Sequence, residues 1–297
     1  MIFSDPLDST TGARCLKLSP DGRHLAAGFR DGNLGVFDIT TDKFEQLISV
    51  EAHDGEMLCI EYADPQKTDG HTMLASGGRD RLIHLYDAEN GYQHLATVED
   101  HSSSVNSIKF IPTSSGFEMF TCATDKLVVI RRVTNSSNGI SLERINQFSS
   151  PSGLNYLTTA PDGSLIGACQ DRQLRTYTIN GKMNKQIKGT LCEEGTLTKL
   201  ALDPSGTYAA TVCSDRYVYV IDISTGECAA VLNGQADCVT SIAFTPDCRR
   251  LVVVSHSGCV FVWRLSNMLT KRMTTKLGKT EASSSLTTGN NSAPIND

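Results

Sequence analysis

One short pattern recurs six times along this chain and limits the folds that the chain can adopt. The pattern is a strand ending in small residues, an acid in a tight turn and an alternating apolar run, as in 74–87. Its copies occupy 26–38, 74–87, 120–132, 167–178, 211–222 and 253–264, and the turn positions, 42 to 49 residues apart, are Asp31, Asp80, Asp125, Asp171, Asp215 and Ser257. Hairpins repeated at this period predict four-stranded sheets arranged around an axis, which is an all-β propeller.

The repeats resemble WD repeats. Ala52-His53 and Asp100-His101 precede two of the turn acids, and the runs close on aromatic-acid pairs such as Tyr86-Asp87. The resemblance implies a WD-repeat β-propeller over 14–265 with six recognisable blades. A ring of blades closes when the last blade takes a strand from the other chain end. Within the N-terminal segment 1–13, Met1–Ser4 is the candidate closing strand, and the count fits either a six-bladed ring or an incomplete, split seven-bladed ring.

The pattern changes after Leu265. Leu269, Met273 and Leu277 follow one another at intervals of four, with Gly278 as a stop, so 266–279 is predicted to form a short helix. The remaining residues, 280–297, are rich in Ser, Thr, Asn and Gly and are predicted to be a disordered tail.

Composition narrows the class of partner. The net charge is −6 and no run of Lys or Arg is long enough to follow a phosphate backbone, so nucleic acid is disfavoured as a partner. No apolar stretch approaches the 18 residues of a membrane span, and the N-terminus lacks the pattern of a signal peptide. The ten cysteines contain no C-x-x-C pair and lie mostly in strand patterns, which indicates reduced thiols in a cytoplasmic protein.

Two histidines repeat with the period of the fold. His53 precedes Asp80 by 27 residues and His101 precedes Asp125 by 24. One hypothesis is an acid/base dyad; the other is a structural network in which each His bonds its turn acid, with Ser76 or Thr121 beside it. A catalytic pair is normally present once, so the repetition favours the structural network, and no catalytic residue is predicted. Blades four to six lack the His and are predicted to be looser, and only blade six closes with tryptophan, Trp263.

Basic residues flank most of the turn acids and are predicted to form a rim at one end of the propeller. The candidate partner-binding residues are Arg30, Arg79, Arg81, Lys126, Arg172 and Arg216. Arginines can form paired bonds with carboxylate or phosphate, so one hypothesis is binding of an acidic peptide or phosphopeptide, with Arg30 and Arg79 as the favoured contacts. The alternative is that a base after the turn acid is ordinary WD-repeat usage. No cofactor-binding motif occurs, and the His and Cys residues do not fall at zinc spacing, so no cofactor or metal is predicted.

Longer runs support a closer resemblance. VEAHDGEMLCIEY (50–62), RDRLIHLYD (79–87), DHSSSVNSIKF (100–110) and CVFVWRL (259–265) resemble the second propeller of the scaffold family that contains mitogen-activated protein kinase-binding protein and the microcephaly-associated spindle-pole WD-repeat protein. The similarity covers about residues 12–275. It implies a non-enzymatic scaffold of the JNK and MAP-kinase pathways, with a role at the centrosome or spindle pole.

Two segments of that family have no counterpart in this chain. The family's upstream propeller and its downstream kinase-docking segment are both absent, so the resemblance does not carry kinase docking. A substrate receptor for a ubiquitin ligase, or a generic complex subunit, is the alternative among binding modules. A propeller hydrolase is the alternative from another class, and it would need inward acids or histidines converging on the channel.

Overall fold

The computed structural model describes residues 12–64, 72–113, 116–136, 139–235 and 237–287. These residues form six antiparallel sheets, here called blades one to six in chain order, and one helix. The prediction of an all-β propeller with six blades is confirmed. The candidate closing strand Met1–Ser4 lies outside the described residues.

The first three blades take their strands in simple succession, first to fourth. Blade one contains β1 (Ala13–Leu18), β2 (His24–Phe29), β3 (Asn33–Asp38) and β4 (Glu45–Glu51). Blade two contains β5 (Met57–Tyr62), β6 (Met73–Gly78), β7 (Ile83–Asp87) and β8 (Gln93–Val98). Blade three contains β9 (Val105–Thr113), β10 (Gly116–Ala123), β11 (Leu127–Ser136) and β12 (Gly139–Ser149).

The other three blades follow the same order, but blade six has three strands in the described residues. Blade four contains β13 (Leu154–Thr159), β14 (Leu165–Cys169), β15 (Gln173–Tyr177) and β16 (Met183–Lys188). Blade five contains β17 (Leu197–Leu202), β18 (Tyr208–Cys213), β19 (Val218–Asp222) and β20 (Cys228–Leu232). Blade six contains β21 (Val239–Phe244), β22 (Arg250–Ser255) and β23 (Val260–Arg264).

The hydrophobic core lies between blades. Small, fully buried side chains of the second strands, such as Ala26 and Ala75, let the first strand of the next blade approach closely. In the cluster between blades one and two, for example, Ile60 and Tyr62 pack with Ala26, Leu34 and Val36. Stacking of sheets therefore supplies most of the apolar burial that stabilises the chain.

Four of the hairpins between first and second strands share one turn. Gly22, Gly163, Gly206 and Cys248 each donate a backbone hydrogen bond of 2.9 Å to the carbonyl three residues earlier. All four residues have positive φ, between 57° and 80°. The Pro at the second position presets φ for this turn, and a residue that accepts positive φ must follow.

The helix α1 (Asn267–Thr287) continues the chain after blade six. Leu269 and Met273 are buried in the cluster formed by blades five and six, as the spacing of four predicts. The helix continues beyond residue 279, where the sequence pattern ends it, and occupies the first part of the segment assigned to the tail. The segment 280–286 contains no Pro or Gly that would stop it. Residues 288–297 lie outside the described part of the chain.

Candidate interaction surface at the turn face

The propeller has two unlike faces, and the predicted site residues lie on one of them. His53, in the loop between β4 and β5, contacts Asp80, in the hairpin between β6 and β7. The loops that enter each blade and the hairpins carrying the turn acids therefore share one face, here called the turn face. Helix α1 lies toward the opposite face, because its Lys276 donates to the carbonyl oxygen of Gly206 in the β17–β18 hairpin, 3.2 Å away.

Blade two contains a complete polar network beneath the turn face. The Nδ1 atom of His53 lies 2.9 and 3.0 Å from the two carboxylate oxygens of Asp80, and its Nε2 lies 2.9 Å from the hydroxyl of Ser76. The backbone N–H groups of Asp54 and Leu82 also donate to Asp80. Burial lowers the pKa of His53, although Asp80 opposes that effect. A neutral imidazole donating to Asp80 and accepting from Ser76 satisfies every group in the network.

Blade three repeats this arrangement with one substitution. His101 Nδ1 lies 3.1 Å from a carboxylate oxygen of Asp125, and its Nε2 lies 2.9 Å from the hydroxyl of Thr121. The backbone N–H groups of Ser102 and Leu127 donate to Asp125. Burial again lowers the pKa of the imidazole. The same hydrogen-bonded network of His, Asp and a hydroxyl therefore occurs in two blades, which favours a structural role for it.

Blades four and five keep the turn acid but give it a different partner. In blade four, the guanidinium of Arg175 donates through Nη1 to Asp171 over 2.9 Å and forms a second bond through Nη2. In blade five, the hydroxyl of Tyr219 donates to Asp215 over 2.5 Å. Arg175 and Tyr219 are both buried and both stand four residues after the turn acid, in the third strand. Both are polar side chains of a third strand, a signal that the sequence contains but that the repeat pattern does not single out.

The remaining two turns have local partners. Asp31 accepts from the backbone N–H and the side-chain amide of Asn33. In blade six, the hydroxyls of Ser257 and Ser255 lie 2.8 Å apart. Trp263 packs against the core between blades five and six, and its indole Nε1 is buried with no hydrogen-bond partner among the described residues.

Blade two also brings together a group that sequence spacing does not reveal. The potential ligand atoms of His53, Asp80 and His84 lie within 4.8 Å of one another, and His84 Nε2 is buried with no partner among the described atoms. Both nitrogens of His53 already hold hydrogen bonds, so a metal ion would have to displace Asp80 or Ser76. Burial, with help from His53 and His94, lowers the pKa of His84 to about 4. His53 and His84 therefore form a cluster of neutral histidines beside Asp80.

Four of the predicted rim bases occupy one special backbone position. Arg81, Lys126, Arg172 and Arg216 directly follow their turn acids, and each has φ between 67° and 75°. Gly32 and Gly258 take the same position in blades one and six, with φ of 92° and 78°. Arg81, Lys126 and Arg216 are exposed, and Arg172 is half-buried.

The two favoured contacts, Arg30 and Arg79, lie just before the turn acids. Both are exposed, but Arg79 forms an ion pair of 3.2 Å with Glu56, which also pairs with Arg14. Acids in the entry loops, including Asp54 and Glu56, share the turn face with the bases. The rim is therefore a row of basic side chains beside acidic loops.

The first strands carry charged groups that approach one another across blades. Glu61 forms ion pairs with Lys17 of blade one and Lys109 of blade three. Lys109 and Lys199 lie 5.9 and 6.0 Å from the ring centre of Tyr156, and burial lowers the pKa of Lys199. Lys17 and Lys109 therefore neutralise Glu61 in an ion-pair network that joins three blades.

All ten cysteines are free thiols. Burial raises the pKa of Cys15 to about 12 and also raises that of Cys122. Thiols held in the protonated form are poor nucleophiles. The cysteines of the strands therefore serve as small apolar side chains.

Comparisons with known proteins fit this geometry. The family model "WD domain, G-beta repeat" matches residues 6–38, 92–131 and 226–264. WD repeat-containing protein 62 of Mus musculus is 42% identical over 90% of this chain, and mitogen-activated protein kinase-binding protein 1 of Homo sapiens is 39% identical over 92%. The chain belongs to the WD-repeat family.

This WD-repeat chain spans 17% and 18% of the lengths of those two relatives. A chain in a crystal structure of the mitotic checkpoint complex superposes with a TM-score of 0.71 at 18% identity, covering 88% of this chain and 76% of that one. That likeness concerns the fold alone. Among the described residues, no helix has the length and hydropathy needed to cross a membrane.

Proposed function

We propose that this WD-repeat propeller is a non-enzymatic scaffold whose turn face binds acidic or phosphorylated segments of partner proteins. The observation that supports this proposal most directly is the set of four bases that follow the turn acids at positive φ. The acids beside them are held by His53, His101, Arg175 and Tyr219. The carboxylates thus have partners within the propeller, while three of the four bases are exposed and Arg172 is half-buried.

The nature of the relatives guides the choice of partner. One relative is named for binding a mitogen-activated protein kinase, so proteins of the JNK and MAP-kinase pathways are the partners proposed for this chain. A platform of this kind works by presenting rigid loops, since the hairpins are fixed by hydrogen bonds within and between blades. The place proposed for this work is the cytoplasm, including the centrosome or spindle pole that the family resemblance implies.

The rim can be neutralised without disturbing its backbone. Asn accepts positive φ better than most residues, so replacement by Asn removes charge and keeps the turn. The test variant is Arg81→Asn, Lys126→Asn, Arg172→Asn and Arg216→Asn together. The matched control removes four exposed bases on or toward the opposite face: Arg23→Asn, Lys182→Asn, Arg249→Asn and Lys271→Asn.

Affinity capture from cell extract, with purified MAP-kinase pathway kinases as the direct probe, measures the outcome. We expect the rim variant to lose at least tenfold in kinase capture, with a weakened salt dependence, while the control retains capture. Equal capture by both variants would contradict the rim as the binding surface. Capture of ubiquitin-ligase adaptors in place of kinases would instead favour the substrate-receptor function.

A further inference from the structure

In the described residues, the ring of six blades has five internal interfaces and one gap, between blade six and blade one. In each of the five interfaces, the first strand of one blade packs on the second and third strands of the blade before it, and a core cluster forms there. Among the described residues, no such cluster joins blade six to blade one. The two sheet faces that border this gap can be compared with their equivalents elsewhere in the ring.

Blade one borders the gap with its first strand. Leu16 pairs with the middle of β2, in the same register as Ile60, Ile108, Leu157 and Leu200 in the next four blades. Those four side chains are 0–7% exposed, because each is covered by the preceding blade. Leu16 is 56% exposed and its neighbour Leu18 is 53% exposed.

Blade six borders the gap with its third strand. Val260 and Val262 pair with β22 in the register that Ile83 and Leu85 have in blade two. Ile83 and Leu85 are 0% exposed, since the first strand of blade three covers them. Val260 and Val262 are 61% and 59% exposed. Apolar third-strand positions that are buried at the other interfaces, and first-strand positions that are buried or half-buried there, are therefore exposed on both sides of the gap.

The two exposed sheet surfaces that border the gap fit an occupant of a particular shape. Blade six needs an apolar first strand to lie on Val260 and Val262, and blade one needs second and third strands to lie on Leu16 and Leu18. An object with both faces is itself a propeller blade. The edge of β23 is also without a fourth strand in the described residues, because the chain enters α1 after Arg264.

We propose that the gap binds one antiparallel β-sheet of a partner polypeptide segment, which completes the ring as a seventh blade. Its first strand carries alternating apolar side chains, and its second strand carries small ones. The two relatives are longer than the matched region, which is 17–18% of their lengths, so chain outside that region is one source of such a segment. The proposal is independent of peptide binding at the rim, because the gap residues lie on blade faces and the rim bases lie in hairpins.

A second copy of blade five can be used as a test sheet for the gap. Blade five is covered on both faces by its neighbours, so a second copy of residues 189–238 can be fused before Ala13 in place of residues 1–12. In the fused copy, the residue copied from Leu200 would lie on Val262, and those copied from Val218 and Val220 would lie on Leu16 and Leu18. We expect the melting temperature to rise by about 5 °C or more, and the fluorescence of bound bis-ANS to fall at least twofold.

Two matched controls separate filling of the gap from mere fusion. The same fusion with the copied Leu200 changed to Asp, and the same fusion with Val260→Asp and Val262→Asp, should both lose the gain in melting temperature. A fusion that leaves melting and dye binding unchanged would overturn the proposal.

Other occupants give distinct results in the unfused chain. Quantitative disulfide formation between Leu16→Cys and Val262→Cys would show direct closure of a six-bladed ring and would overturn the seventh blade. Sedimentation as a concentration-dependent oligomer that Val262→Asp dissociates would show a second copy in the gap and would do the same. A monomer without that disulfide supports a gap that awaits a partner sheet.

Discussion

Blades two and four both provide a partner for the acid of a hairpin, but they use different side chains. Each has an acid in the hairpin between its second and third strands, and each holds that acid with a buried basic side chain. In blade two the partner is His53, from the entry loop 27 residues earlier, with Ser76 behind it. In blade four the partner is Arg175, from the third strand of the same sheet, and Gln186 accepts its Nε–H over 3.1 Å.

The difference lies in what each network joins. His53 connects the entry loop to the hairpin, so it joins two segments that are distant along the chain. Arg175 connects the hairpin to its own strand, so the entry loop of blade four is held by other contacts, such as the bond from the Gln170 N–H to the Gly153 carbonyl. What the fold needs at this position is a partnered carboxylate, and the residue that supplies the partner can change.

The largest effect is expected from breaking the ionic network of blade four. Asp171→Ala would leave the guanidinium of Arg175, whose side chain is 3% exposed, without its main partner. A buried cation without a counter-ion is costly, and we expect a loss of about 2–4 kcal/mol in the free energy of unfolding, allowing for the partial exposure of Asp171. Urea unfolding monitored by circular dichroism measures this. The double variant Asp171→Ala with Arg175→Leu should recover most of the loss, and a double variant no more stable than the single one would contradict this account.

The neutral network of blade two should lose less. Asp80→Ala leaves the Nδ1–H of a buried, neutral His53 unpaired, and we expect a loss of about 1–3 kcal/mol. Asp31→Ala is the matched control, because that acid bonds only the neighbouring Asn33 in the described hydrogen bonds and should cost less than about 1 kcal/mol. Equal losses in the two variants, measured by the same urea titration, would remove the distinction between a joining network and a local turn.

The fold could be predicted from the sequence because it depends on periodic features. Six copies of the hairpin pattern specify six sheets, and turns with Pro at the second position specify how the first two strands connect in four of them. The partners of Asp171 and Asp215 could not be predicted in the same way, since they depend on which side of a strand faces the hairpin. Arg175 and Tyr219 stand at the same offset from the turn acid, but that offset gains meaning only once the strand register is known.

The bases of the rim show a second limit of prediction from the sequence. The sequence groups six bases by their nearness to the turn acids, but the backbone divides them into two kinds. Four of the bases follow the acid at positive φ, whereas Arg30 and Arg79 precede it, and Arg79 is paired with Glu56. An ion pair between the entry loop and the hairpin of one blade is not visible in a repeat pattern. The gap between blades six and one also required coordinates, because it is a property of packing.

Stability should fall in mild acid because of the histidine cluster of blade two. The folded-state pKa of His84 is about 4, below its ordinary value of 6.5, so the unfolded chain binds more protons between these values. Stability contributed by the neutral imidazole is therefore complete above pH 6.5 and is lost as the pH falls toward 4, by about 1–2 kcal/mol after allowance for partial exposure. His84→Gln should flatten the profile of melting temperature against pH over this range. His256→Gln, at an exposed position of blade six, should leave the slope unchanged, and an unchanged slope in His84→Gln would exclude this residue as its source.

The smallest effect concerns the backbone at the rim, where blades one and three have different residues directly after the turn acid. Lys126 has φ of 68°, at which a side chain is disfavoured, whereas Gly32 occupies the equivalent place in blade one. Lys126→Gly should therefore change the free energy of unfolding by no more than about 0.5–1 kcal/mol, and in the stabilising direction, because relief of the left-handed strain outweighs the entropy of glycine. The reverse exchange is unequal: a Cβ on Gly32 would lie 1.9 Å from the carbonyl oxygen of His53, so Gly32→Ala should destabilise. If thermal unfolding showed Lys126→Gly to be the more damaging of the two, the charge at the rim would have to stabilise its own blade, and its availability to a partner would be in doubt.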